Sequence, residues 1–432
     1  MLLGPALLGP ALLAACSASP GETGPRAAST TPGPTAGTSV SPSASISPSA
    51  SSSASPSASP SASASQSGAG EVRAEAADVY GHAGAGMLTP VTRAAKPLVY
   101  VPNTMSNRVD VIDPSTYKVV RSFAVPALPQ HVVPSWDLKT LWVNDNEGNA
   151  LTPINPATGR PGRSVPVDDP YNLYFSPDGK HAMVMAEARE RIDFRDPHTM
   201  KLQRSLKVPC SGVNHADFTA DLSTFLVSCE YSGKLLVIPT NGSRVSKVID
   251  LNHIATRGAT DPRRAKHHGG PATMLERGAS SMPQDVRLAP DGRTFVVADM
   301  LRNGLWLVDA STFAVTRFLP TGKGAHGIYP SRDASALYVS NRDGSSVSVV
   351  DAATLTVRTT WKIPGGGTPD MGGITLDGSR LWLAGRYTSE VYVIDTATGR
   401  LLKRIKVGAG PHGLCVWPQP GRFSLGHTGN MR

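Results

Sequence analysis

Seven short apolar segments of this chain open on a polar side chain. Those residues are His131, Tyr171 or Asn172, His215, Asp285, His326, Asp370 and His412. Four imidazoles and two carboxylates brought to one place could bind a divalent metal, hold an anionic ligand or supply a general base. His326 and His412 are the candidates for a base. With Asp285 and Asp370 they are also the candidate metal ligands. Arg342 and Arg386 offer guanidinium groups suited to carboxylates, phosphates or sugars. His267 and His268 stand next to a basic run, Arg257 to Lys266. A plainer reading competes with all of this: the histidines could simply hydrogen-bond neighbouring repeats. No Gly-x-Ser-x-Gly, phosphate-binding Gly-rich loop, Cys-x-x-Cys or haem motif is present, so no nucleophile announces itself.

A repeated unit must position these residues. Asp113, Asn155, Asp196, Asp309, Asp351 and Asp395 recur at steps of 42, 41, 113, 42 and 44 residues, and the long step hides one further copy plus an insertion at about 252–283. A period near 42 with four strands per unit is the signature of a β-propeller. Candidate first strands and second strands each number seven. The repeat begins on a second strand near Leu98 and ends on a first strand near His412. The two chain ends should therefore complete one blade together and leave no free sheet edge, which favours a monomer. Turns such as Ser176-Pro177-Asp178-Gly179 sit between first and second strands, where Pro, Asp and Gly each favour a tight reversal. The recurring Asp residues are expected to bond turn amides. The seven polar positions should ring one mouth of the central channel. The insertion and the turns carrying Arg342 and Arg386 should lie at the same mouth.

Tyr100-Val101-Pro102-Asn103, Tyr338-Val339-Ser340-Asn341 and Pro411-His412-Gly413-Leu414 resemble the YVTN-type (YncE-like) seven-bladed propeller repeat. The resemblance covers about 97–420. It implies the fold and says little about activity, since propellers host unrelated functions. The fold also resembles the propeller of nitrous-oxide reductase, where a full histidine ring holds copper. Asp285, Asp370 and Tyr171 or Asn172 depart from such a ring. Blades pack about 10 Å apart and zinc needs nitrogens at about 2.0–2.1 Å, so opposite ring members are not expected to share one ion. The closing segment, residues 421–432, looks like an ending shared by lipoprotein members of the family.

The front of the chain reads as an address and a tether. Residues 1–15 form a short apolar signal segment, and Leu13-Ala14-Ala15-Cys16 resembles a lipobox with Cys16 as the lipidated residue. The usual basic start is missing, because Arg26 is the first basic residue. Residues 16–92 are rich in Ser, Ala and Pro and should be a disordered stalk. The propeller is then expected over 93–420. Cys210 and Cys229 fall at the same end of one blade, a disulfide candidate in an oxidising compartment. Cys415 reads as a core thiol. The net charge of +9 is spread along the chain. It favours anionic lipid or wall polymer over nucleic acid, for which no basic helix or aromatic–basic motif is present.

The expected protein is therefore all-β: a seven-bladed propeller on a stalk, lipid-anchored outside the cytoplasm. Its first functional reading is a binding module. The channel mouth would take an anionic small molecule, a cell-wall polymer or a surface protein. The alternative is a hydrolase or lyase acting on a lactone-like or cyclic polar substrate, with or without a divalent metal. A redox metal carrier ranks last.

Overall fold

In a computed structural model, residues 79–255 and 275–432 are described. Seven antiparallel sheets follow one another around an axis, six of four strands and one of five. The innermost strands are Pro129–Pro134, Pro170–Phe175, Val213–Phe218, Pro283–Leu288, Ala325–Pro330, Pro369–Ile374 and Cys415–Trp417. They open blades 1 to 7 in that order. Each outermost strand is largely exposed, as in Lys118–Ala124 and Val357–Lys362. Inner and middle strands are buried on both faces, because each blade packs on two neighbours. Leu226, Leu235 and Val237 of blade 3, for example, meet Val286, Phe295 and Val297 of blade 4. Such runs of Val, Leu, Ile and Phe supply most of the stabilisation.

Blade 7 closes the ring. Cys415–Trp417 pairs with Leu98–Asn103 through Leu98↔Trp417, Val99↔Val416 and Tyr100↔Cys415. Cys415 is buried, and burial raises its thiol pKa. Cys210 and Cys229 are joined, with Cα atoms 6.1 Å apart. The recurring aspartates cap turns: Asp309 accepts the amides of Ser311 and Thr312, and Asp351 those of Ala353 and Thr354.

Two segments differ from the reading of the sequence. Residues 79–92, assigned there to the stalk, pack against the propeller: Val79 and Ala83 are buried and the Tyr80 hydroxyl donates to Leu288 O at 2.7 Å. A short helix, Pro90–Arg93, follows, with Thr89 as its N-cap. The C-terminal segment is the second. It leaves blade 7 on the face opposite the mouth, folds back on itself at Ser424↔Met431, and runs beside the inner strand of blade 2. Phe175 N donates to Leu425 O at 3.0 Å and His427 N to Leu173 O at 2.9 Å. Gly426 has φ +112°, and a Cβ there would stand 2.4 Å from Leu173 O and Tyr174 Cα. Only glycine lets this strand approach so closely. The signal segment, Cys16, the Ser-rich stretch, His267 and His268 lie outside the described residues.

Asp217, buried in blade 3, fastens this C-terminal tail. Its Oδ1 accepts from Arg432 Nη2 at 2.7 Å and Asn430 Nδ2 at 2.6 Å, while Oδ2 accepts from Leu288 N. Replacing Arg432 by Ala leaves a buried carboxylate without its counter-charge, which costs about 3 kcal/mol. Chemical denaturation should show that loss as an earlier midpoint with an unaltered slope. An unchanged midpoint would mean the tail is held elsewhere.

Candidate functional site

The seven polar positions form two stacked layers, not one ring, and β-bulges are the reason. In most of the inner strands the pairing register skips two residues near the start, for instance between Pro129 and Val132 or between Pro369 and Gly372. Both skipped residues are released from the ladder, and alternation sends them to different depths. The first positions hold Gln130, Tyr171, Asn214, Gln284, His326, Asp370 and His412. The second positions hold His131, Asn172, His215, Asp285, Gly327, Met371 and Gly413. Gln130, Tyr171, His326 and His412 line the mouth cavity. His131, Asn172, His215 and Asp285 lie below it and are fully buried.

The upper layer is organised by one carboxylate. Asp370 Oδ1 accepts from Arg342 Nε at 3.0 Å and Nη2 at 2.6 Å, and Oδ2 accepts from His412 Nδ1 at 2.7 Å. His326 Nδ1 lies 3.1 Å from Oδ1, and Arg342 also donates to His326 Nε2. Burial alone would raise the Asp370 carboxyl, but Arg342 and His326 hold it below its usual value. His412 thus keeps its proton on Nδ1. Its Nε2 finds no hydrogen-bond partner among the described residues.

Above this floor lies a cavity of about 470 Å³. The opposite end of the channel, under the tail, keeps only about 40 Å³. One wall of the mouth carries Glu187, Glu230, Asp169 and Tyr231, and another carries Arg342, Arg386 and Tyr387. Burial and the neighbouring Glu230 push the Glu187 carboxyl well up, and burial also raises Glu230. Glu187 Oε2 has no partner among the described residues. The Arg386 side chain makes one hydrogen bond, to Thr104 Oγ1 at 3.3 Å, and no ion pair among the described residues. The acids of the first wall are held towards neutrality, and Arg386 stands opposite them without an ion pair among the described residues.

The lower layer contains a residue that sequence reasoning missed. His427, from the tail, rises into the channel and is fully buried. Its ring centre lies 4.9 Å from that of His215 and 5.2 Å from that of His131, and His131 and His215 are 5.6 Å apart. Side chains aimed at the axis therefore close the gap that blade spacing had suggested would keep imidazoles apart. Gly413 makes room: a Cβ there would stand 2.1 Å from His131 Cδ2. Burial lowers all of these histidines, His131 to about 4, so they are neutral. Asp285 belongs to this layer. Burial raises its carboxyl to about 6 against the pull of Arg287, and Ile328 N donates to its Oδ2 at 2.9 Å. The four residues singled out for a metal are therefore divided: His326, His412 and Asp370 meet above, whereas Asp285 sits below. The sequence signal for His427 was a lone histidine among glycines in Gly426-His427-Thr428-Gly429.

Asp145, at the end of a blade 1 strand, is another buried carboxylate. Its Oδ2 accepts from Thr152 at 2.6 Å, Oδ1 has no partner among the described residues, and burial raises its pKa to about 8. The folded protein therefore keeps a proton that the unfolded chain releases near pH 4. Stability from this group is present below pH 4 and is lost as pH rises towards 8, by at most about 1.4 kcal/mol per unit. Asp145→Asn should melt higher than wild type at pH 8, with the gap closing by pH 4. A pH-independent gap would contradict the buried proton.

Comparison with known proteins supports the architecture. The structure of hydrazine synthase from Kuenenia stuttgartiensis matches with a TM-score of 0.56 and 18% identity, over 70% of this chain and 94% of that one. A functionally unknown protein from Desulfotomaculum acetoxidans matches at 0.57 and 13% identity, over 75% and 100% of the two chains. Dihydro-heme d1 dehydrogenase NirN, in complex with DHE, matches at 0.53 and 14%, over 76% and 78%. At these identities the likeness is one of fold. The comparison with curated proteins gives no match. The model of the YNCE-like beta-propeller matches residues 79–208 and 315–420, more than half of the chain. With seven blades, closure between the two ends and this match, the chain belongs to the YNCE-like β-propeller family.

Proposed function

We propose that this protein is an extracytoplasmic binding module, carried on a lipid anchor at Cys16, that captures an anionic group in the mouth of its channel. The observation that carries the reading is Arg386. It is a guanidinium at the wall of a 470 Å³ cavity with no carboxylate partner among the described residues, in a cavity that His412 also lines. Uncommitted arginines in partly desolvated sites recognise carboxylates and phosphates strongly. The partnerless Glu187 oxygen adds a polar contact on the opposite wall, so a small sugar acid or the acidic end of a wall polymer or surface protein fits the chemistry.

A second reading rests on the Asp370–His412 pair. A carboxylate that fixes the Nδ1 proton leaves the Nε2 lone pair of a residue lining the mouth free to act as a base, as general-base hydrolysis or elimination requires. A lactone-like substrate would be bound by Arg386 and attacked through His412.

One set of experiments separates the two. Glucuronate, lactate, citrate, phosphate and sulfate are titrated calorimetrically into the intact chain, and a panel of lactones is followed for ring opening. Binding of one or more anions, weakened tenfold or more in Arg386→Ala, is expected. Binding that survives that change places the ligand elsewhere. Lactone opening that His412→Gln abolishes would move the assignment to the second reading.

The anchor has its own test. Labelled palmitate should be incorporated by the wild type in a bacterial host, and Cys16→Ala should lose the label and leave the membrane fraction. Equal membrane retention by the variant would remove the lipoprotein reading.

A further inference from the structure

We propose that His131, His215 and His427 form a buried binding site for one first-row divalent transition ion, zinc or copper, beneath the mouth, and that the ion clamps the C-terminal tail inside the channel. This site is distinct from the mouth and goes beyond the binding reading given above.

Three observations carry it. One nitrogen from each of the three rings lies within 4.8 Å of the others. All three side chains are fully buried, and each Nε2 is without a hydrogen-bond partner among the described residues. An unpartnered buried polar atom is costly, and three on rings packed this closely call for a shared partner. For His131 the second shell has the form that a metal-bound histidine needs. His131 Nδ1 donates to Tyr171 O at 3.0 Å, which leaves the Nε2 lone pair free. His215 and His427 share one side chain: Asn172 Nδ2 lies 3.2 and 3.1 Å from their Nδ1 atoms and, as placed, donates to both. The two ends of an amide have the same shape. Turned over, Asn172 sets its Oδ1 against both Nδ1–H groups and frees both Nε2 lone pairs, at the cost of its bond to Leu173 N.

The charge balance also fits. Imidazole donors suit zinc and copper. Asp285 adds a negative charge: its Oδ1 is partnerless and lies 3.8 Å from His427 Nε2. Arg287 opposes a cation, but it is paired with Asp285, with Nε 3.5 Å from Oδ2, and also donates to Ile328 O. Tetrahedral ligands at 2.0–2.1 Å from an ion stand about 3.3 Å apart, so binding draws the three rings together. Two of them belong to blades 1 and 3, and the third to the tail. Occupancy therefore ties the chain end to the propeller core.

The test uses the intact chain, purified without a histidine tag, stripped with chelator and then exposed separately to zinc and to copper(II). Elemental mass spectrometry after gel filtration should find about one ion per chain in at least one arm, and that ion should raise the melting temperature. His427→Gln should bind at least a hundredfold more weakly and lose the rise. Asn172→Asp can present only acceptors to both Nδ1 atoms and adds charge, so it should bind tenfold or more tightly. That variant guards against a His427→Gln protein that simply fails to fold. No retained ion in either arm overturns the proposal. Binding unchanged in His427→Gln, or weakened in Asn172→Asp, overturns it as well.

Discussion

Closure of the ring is the constraint on which the other features depend. Three residue pairs join Cys415–Trp417 to Leu98–Asn103. That short ladder removes the last open edge of the innermost strands. It also decides where the rest of the chain goes. A first strand of a blade runs from the mouth to the opposite face, so the residues after Trp417 emerge at the far end of the channel. There they meet Asp217 and the inner strand of blade 2, and the glycine at 426 lets them pass into the axis. Ring closure thus sends the last histidine of the chain to the centre of the fold.

The channel is filled by a trade between the two layers. Where the first bulge position carries a charged or aromatic ring group, as in His326, Asp370 and His412, the second carries Gly327, Met371 or Gly413. Where the first is an amide, as in Gln130, Asn214 and Gln284, the second carries His131, His215 or Asp285. The cross-section of the axis is limited, so no blade carries an imidazole at both levels; blade 2, with Tyr171 and Asn172, departs from the trade. The missing side chain at Gly413 of blade 7 gives His131 its room, and that at Gly327 of blade 5 admits the Tyr329 ring. The amides above bond to the wall: Asn214 donates to Glu230 at 2.7 Å.

The fold was legible from the 42-residue period because each repeat must supply four strands and two turns, and turn chemistry is local. Closure was legible for the same reason, by counting first and second strands. The Cys210–Cys229 bridge followed from antiparallel register. The depth of each ring residue was not legible. A one-residue difference between Gln130-His131 and Ala325-His326 decides which layer an imidazole occupies, and only the bulge reveals it. His427 was hidden for another reason. Its position depends on a contact across 255 residues, with Asn172, and the tail lacks the strand pattern that would place it. Residues 79–92 were given to the stalk because their neighbours are small and polar, yet Val79 and Tyr80 anchor them.

The two layers differ in how they handle charge, and that difference separates their chemistry. Above, a carboxylate and a guanidinium are paired in low dielectric, and the pair fixes the proton of His412 and the orientation of His326. Charges there are compensated locally except at Arg386, and that uncompensated guanidinium is the feature on which the proposed capture of an anion rests. Below, the imidazoles face one another with few fixed charges, and burial keeps them neutral. Neutral donors without partners gain most from a cation, and least from an anion, which would have to leave water without a counter-charge. The ring centres of His131 and His412 are 4.9 Å apart. Charge placed in one layer is therefore felt in the other, and an ion below would strengthen the hold on an anion above.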